Sequence, residues 1–284
     1  MSTMKRSVLT VSRLAGRFTS GVRVLPSFLI AGGQRCGTTS LYRALAQHPL
    51  LLKPCLHKGV HYFDVNYARP LSWYQAHFPL KAGVALLAHR YGGRPLAFES
   101  SPYYLFHPLA GARIAADLPG VKLIVLVRDP VARAYSAHAH EVARGFDTES
   151  HFEYAVELES GRLAGAEPAF RADPYAVHHS HRHHAYLARG RYAEQLDRLE
   201  PLFGRDRILV LDSHRFFADP EHVHDRVLEF LGVPHLAYPA FDRHNGRFTA
   251  KPMPAAVERR LRDYFEPYDA ALVRWLGGEP SWRR

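Results

Sequence analysis

Short, unbroken apolar runs alternate along this chain with longer stretches in which apolar residues recur every three or four positions. The runs Phe28–Ala31, Leu96–Glu99, Lys122–Val127 and Arg207–Leu211 are short and nearly continuous, a pattern that predicts strands buried on both faces. Helical spacing predicts helices over Thr39–Gln47, Leu109–Leu118, Pro130–Arg144, Tyr192–Phe203 and Pro220–Leu231, and over 255–276 with a break at Pro267. Strands alternating with helices predict an α/β, P-loop-like fold of three layers, with a central, mainly parallel sheet flanked by helices. Sheets of this kind bind ligands beyond the carboxyl ends of their strands. The residues that follow each run are therefore the places to look for chemistry.

The first 26 residues depart from this alternation. Val8, Val11, Leu14, Phe18 and Val22 recur at helical spacing among Lys5, Arg6, Arg13 and Arg17, with no Asp or Glu. The segment reads as a basic amphipathic helix lying on a membrane surface or on its own domain, as a disordered tail, or as an organelle transit peptide. Arg13 interrupts the apolar core that a secretory signal requires. Residues 27–284 form the expected single domain. No apolar stretch reaches the roughly 18 residues that a membrane span needs, and the expectation is a soluble, cytoplasmic chain of bacterial type.

Composition adds one constraint. Among 284 residues, 37 Lys and Arg face 27 Asp and Glu, a formal net charge of +10. That balance implies an anionic partner (nucleotide, polyanionic glycan, nucleic acid or anionic lipid) but does not choose among them. The two cysteines, Cys36 and Cys55, rule out a disulfide scaffold.

The first strand feeds the segment Gly32-Gly33-Gln34-Arg35-Cys36-Gly37-Thr38-Thr39. A strand, a glycine-rich loop and a helix N-terminus in succession make an anion site, because backbone N–H groups converge there and the helix dipole adds partial positive charge. The spacing approaches a Walker A loop, but Thr38 occupies the lysine position, which argues against an ATPase or GTPase. Arg35 supplies a cation inside the loop. The third predicted strand ends in Arg128-Asp129-Pro130, followed by Arg133, Tyr135 and Ser136. Pro130 suits the first helical position and Asp129 the cap, so Arg128 projects where its planar fork can grip a phosphate. Taken without the first motif, Arg128 reads rather as half of a structural ion pair.

Together these segments resemble the sulfotransferases that use 3′-phosphoadenosine 5′-phosphosulfate (PAPS), most closely the heparan-sulfate-type and bacterial branch. Gln34-Arg35-Cys36-Gly37-Thr38-Thr39-Ser40-Leu41 is similar to the 5′-phosphosulfate loop, which usually carries Lys at the position of Arg35. Leu126-Val127-Arg128-Asp129-Pro130 through Ser136 is similar to the 3′-phosphate motif. His61-Tyr62-Phe63-Asp64, Trp73-Tyr74, Phe78-Pro79, Glu99-Ser100-Ser101-Pro102-Tyr103-Tyr104 and Gly190-Arg191-Tyr192 occur in the same order as in that branch. The resemblance implies that Gly33, Gln34, Arg35, Cys36, Gly37, Thr38 and Thr39 hold the 5′-phosphosulfate and that Arg128 and Ser136 hold the 3′-phosphate. It also implies that a late basic loop containing Gly246 and Arg247 closes over the donor. The implied reaction is a direct in-line transfer: an acceptor hydroxyl or amine attacks sulfur and adenosine 3′,5′-bisphosphate leaves, with no metal.

One position departs from that pattern. The branch often carries a catalytic glutamate two residues before the histidine of the His-Tyr-Phe segment, and here that residue is Gly59. His61 is then the nearest candidate base, with His57 and Glu99 behind it, and it reads equally as a histidine that only shapes the pocket. Arg35 is the second catalytic candidate, placed to stabilise charge on the bridging oxygen. Trp73, Tyr74, Tyr103 and Tyr104 read either as acceptor-stacking or as core residues. The run His178-His179-Ser180-His181-Arg182-His183-His184 lacks the carboxylates and cysteines of a metal site and reads as a solvated face or a wall of the acceptor cleft. Asp212 reads as a strand-end cap. Two rival classes, a P-loop kinase and a polyanion-binding module without catalysis, each explain one feature but not both phosphate motifs; a donor-binding chain that has lost activity is the third. No nucleic-acid partner is expected.

Overall fold

The computed structural model describes residues 19–55, 57–242 and 253–283. Residues 1–18 and the loop holding Gly246 and Arg247 lie outside them. Five strands, β1 (Phe28–Gly32), β2 (Leu51–Leu52), β3 (Leu96–Ser100), β4 (Lys122–Val127) and β5 (Ile208–Asp212), form one parallel sheet in the order β2-β3-β1-β4-β5. Every residue of β1 and β3 is buried, as is all of β4 beyond Lys122. Helices therefore cover both faces, which is why these strands carry unbroken apolar runs. The short edge strand β2 has no sequence signal of its own; it is two residues that Leu96 and Ala97 recruit by pairing.

The helices are α1 (Thr38–Leu45), α2 (Leu71–Gln75), α3 (Lys81–Tyr91), α4 (Ala110–Asp117), α5 (Pro130–Ala143), α6 (Phe152–Leu163), α7 (Ala166–Ala172), α8 (His179–His183), α9 (Tyr192–Phe203), α10 (Ser213–Ala218), α11 (Pro220–Leu231) and α12 (Ala255–Leu276). Their ends follow local chemistry. Asp129 caps α5 by accepting from the N–H groups of Val131 and Ala132, with Pro130 in the first turn. Asp212 caps α10 through the N–H groups of His214 and Arg215, the structural role expected of it.

The expected break at Pro267 does not occur: α12 runs continuously through it. Pro267 lies on the exposed face, where water can satisfy the carbonyl freed four residues earlier. Val257, Leu261, Phe265, Leu272 and Trp275 meanwhile bury the opposite face. Packing along that whole face outweighs the lost hydrogen bond. A second adjustment concerns the N-terminal boundary. Residues 19–26, grouped with the basic segment on sequence, join the domain: Val24 and Leu25 pack on the main core and Arg23 bridges to Leu80.

Strand β1 lies between β3 and β4. Successive strands are added on opposite sides of β1, so the crevice at its carboxyl end, toward β4, is the topological switch point.

Candidate active site

A cleft of about 930 Å³ opens at that switch point. Gln34, Arg35, Gly37, Thr38 and Thr39 from the loop after β1 face it, as does Arg128 from the end of β4. The two motifs interlock: Arg128 Nη1 donates to the Arg35 carbonyl (3.2 Å), and Arg35 Nε donates to Ser136 Oγ (3.0 Å). Burial and the neighbouring Arg128 charge together lower the Arg35 pKa. Two cations held this close repel, and an anion between them would relieve that repulsion.

The loop divides its labour. The Gly33 N–H donates to the Leu126 carbonyl (2.7 Å) and the Cys36 N–H to the Gly33 carbonyl (3.2 Å), and both bonds brace the loop. The Cys36 side chain is fully buried against the Tyr192 hydroxyl, and burial raises its thiol pKa, as suits a filler rather than a nucleophile. Gly37 adopts φ 91°, and a Cβ there would press on the Phe217 ring at 3.1 Å. Ser136 stands behind Arg35, its hydroxyl engaged by that guanidinium.

The Gln34 amide is fixed at both ends. Its nitrogen donates to Glu141 Oε1 (2.8 Å) and its oxygen accepts from Arg189 Nη1 (2.5 Å). Burial would raise the Glu141 pKa, but its hydrogen bond to His183 Nδ1 (2.8 Å) and the nearby Arg189 charge outweigh that and lower it. Arg189 stacks on Tyr103 and Phe106, and burial lowers its pKa to about 10. Neither Arg189 nor Glu141 stands out in sequence, because each is recruited from an otherwise ordinary helical segment.

Lys58 is the most consequential residue that the motif pattern misses. Its Nζ lies 3.0 Å from Thr39 Oγ1 and 3.3 Å from Thr38 Oγ1, at the N-terminus of α1. Thr38 occupies the lysine position of a Walker loop, and a lysine from a different segment reaches the same spot. Burial lowers the Lys58 pKa to about 8, the Glu99 charge opposing. The available signal was its place in the Lys58-Gly59-Val60-His61 run.

His61 also faces the cleft, at φ 54°. Its N–H donates to Ser101 Oγ (3.1 Å), and its Nδ1 lies 2.7 Å from Asp64 Oδ2. Burial would lower its pKa, but the hydrogen bond and charge of Asp64, with Glu99 behind, produce a net rise. With Nδ1 committed to Asp64, Nε2 is the nitrogen left for proton transfer. The other two candidate bases do not reach the cleft. His57 is exposed outside it. Glu99 is fully buried beneath it, accepting from Tyr104, Tyr74, Ser101 and the Val60 N–H.

Of the four aromatic candidates, Tyr103 lines the cleft while Tyr74 and Tyr104 are core. Trp73 packs against the core under Arg69. The histidine run forms α8, and its side chains go to different partners: His181 to the Tyr103 hydroxyl (2.7 Å), His183 to Glu141 and His184 to the Phe146 carbonyl. Among the described residues no three His, Cys, Asp or Glu side chains converge as metal ligands. No described helix is long and apolar enough to cross a membrane.

A parallel sheet with a phosphate-type loop at its switch point, and a second arginine at the neighbouring strand end, is a P-loop-like arrangement. The sulfotransferase domain family matches residues 25–245, and the chain belongs to that family. It is 32% identical over 231 residues to the human bifunctional heparan sulfate N-deacetylase/N-sulfotransferase 3, a match covering 78% of this chain and 24% of that protein. The chain thus spans about a quarter of the length of such relatives. It is 26% identical over 285 residues to human heparan sulfate glucosamine 3-O-sulfotransferase 6, covering 92% of this chain and 75% of the relative. Among solved structures, a sulfotransferase from Alicyclobacillus acidocaldarius superposes with a TM-score of 0.65 at 28% identity, covering 92% of this chain and all of that one.

Proposed function

We propose that this chain transfers a sulfuryl group from PAPS to a hydroxyl or amine of an anionic acceptor by direct in-line displacement. The observation that carries this reading is the convergence of Arg35, Arg128 and Lys58 on one cleft at the β1/β4 switch point. Arg128 and Ser136 would hold the 3′-phosphate, the group that separates this donor from ATP. Thr38, Thr39, Lys58 and Arg35 would hold the 5′-phosphosulfate. As the bond from sulfur to the bridging oxygen breaks, negative charge grows on the leaving phosphate. Arg35, Lys58 and the N-terminus of α1 are the fixed positive groups that would carry it. His61, its tautomer set by Asp64, would accept the acceptor's proton at Nε2.

Arg144, Arg182 and Arg189 line the rest of the cleft, and among the acidic side chains facing it Glu141 is already paired. That imbalance supports an acceptor bearing carboxylate or sulfate groups, such as an acidic sugar chain. The test is calorimetric titration with adenosine 3′,5′-bisphosphate, 5′-AMP and ATP. The first is expected to bind at least about tenfold more tightly than the others, and Arg128→Ala to remove about 1.5–3 kcal/mol of that affinity. Equal affinity for the bisphosphate and 5′-AMP would refute the donor assignment. Single turnover with labelled PAPS against acidic and neutral acceptors then tests the second half.

A further inference from the structure

Two side chains that face the cleft come from well beyond the family match, which ends at residue 245: Ser281 and Trp282, in the short turn Ser281–Arg283. Two aspartates fasten that turn. Asp212 accepts from the Ser281 N–H (2.9 Å) and hydroxyl (3.0 Å) while also capping α10. Asp269, buried on α12, accepts from Trp282 Nε1 (3.0 Å) and Arg283 Nε (2.7 Å). Arg215 adds a hydrogen bond to the Glu279 carbonyl (3.2 Å). Side chains from two other elements thus hold the indole in place.

The location is specific. Arg283 Nη2 donates to the Arg262 carbonyl (3.4 Å), Arg262 Nη2 lies 3.8 Å from Asp129 Oδ2, and Asp129 follows Arg128 directly. Trp282 is therefore held at the Arg128 end of the cleft. The base and the 3′-phosphate sit on one ribose, so a 3′-phosphate on Arg128 leaves the base within a ribose's reach of this turn. Besides Arg128 and Asp129, the cleft is lined by Gly37, Ser213, His214, Phe217 and Ser281; a Cβ on Gly37 would touch Phe217 and Ser213, and Asp212, next to Ser213, binds Ser281. A flat, uncharged, polarisable ring fits such a wall, and an aromatic side chain stabilises it by stacking.

We infer that the 281–283 turn is the nucleoside wall of the donor site and that Trp282 carries the purine ring. The inference rests on the PAPS reading above and extends it to a residue outside the two phosphate motifs. Ser281 and the two aspartates are positioning residues, while Trp282 touches the ligand.

The experiment titrates the full chain and its Trp282→Ala and Trp282→Phe variants with two ligands: adenosine 3′,5′-bisphosphate and the same ribose bisphosphate lacking the base. Trp282→Ala is expected to weaken the adenosine ligand by about tenfold or more and to leave the base-free ligand within about twofold. Trp282→Phe keeps a ring and is expected to stay within about threefold of the parent for both. Of the three tryptophans, Trp275 is buried in the core and Trp73 packs beside Arg69. Quenching of indole emission by the adenosine ligand is thus expected in the parent and absent in Trp282→Phe. If the parent binds the adenosine ligand but Trp282→Ala weakens neither ligand, or both equally, the purine assignment is overturned while the donor assignment stands. If the parent binds neither ligand, the donor assignment itself falls and this one with it.

Discussion

A Cβ placed on Gly59 would lie 2.6 Å from the carbonyl oxygen of Ser100 and 2.9 Å from Ser101 Oγ. The Ser100 N–H donates to the Lys58 carbonyl (3.0 Å), so the backbone around Gly59 is clamped against the end of β3. The missing glutamate therefore cannot be treated as a simple deletion of a functional group. The backbone has closed into the space a side chain would need.

That closeness predicts the cost of refilling the position. Gly59→Ala is expected to lose about 1–3 kcal/mol of stability through overpacking, and Gly59→Glu at least as much, without a gain in turnover. Denaturant unfolding measures the first and single-turnover kinetics the second. Unaltered stability in Gly59→Ala would contradict the close approach of the two segments.

The two titrating groups on this segment predict a bell-shaped pH profile of kcat/KM. His61 must be neutral to accept a proton, and its pKa is raised, so activity should climb as pH passes above the ordinary imidazole value. Asp64→Asn removes the group responsible and should shift that limb to lower pH. Lys58 must be charged, and its pKa lies at about 8, so activity should fall above that pH. Lys58→Arg should abolish the falling limb, because an arginine stays protonated. His61→Ala with an undiminished chemical step would remove His61 from the base role.

Arg113 predicts a separation of binding from turnover. From α4 it donates to the carbonyls of Phe63 (2.7 Å) and Asp64 (3.3 Å), and also to the carbonyl of Pro174, just ahead of α8. It thus ties the His61–Asp64 turn to the segment leading into α8, which supplies Arg182 and His183 to the cleft, without facing the cleft itself. Arg113→Ala is expected to lower kcat about tenfold or more, in keeping with misplacing a reacting group. Affinity for adenosine 3′,5′-bisphosphate should stay within about twofold. Equal losses in both would mean the variant perturbs the fold as a whole.

The sequence alone determined the alternating strands and helices, because a strand covered on both faces must be continuously apolar and a helix half-covered must repeat every three to four residues. It also determined the two phosphate motifs, since a tight anion loop needs glycines and a capped helix start needs Asp-Pro, both local requirements. Only the tertiary structure decided that Lys58 reaches Thr38 and Thr39, that Glu141 and Arg189 fix Gln34, and that Trp282 joins the cleft. These contacts join segments distant along the chain, and no local spacing records them. It decided as well that α12 continues through Pro267, where packing along one face overrides a local break signal. Local rules write the loop and strand ends into the sequence, and the company each side chain keeps follows from how the sheet brings those ends together.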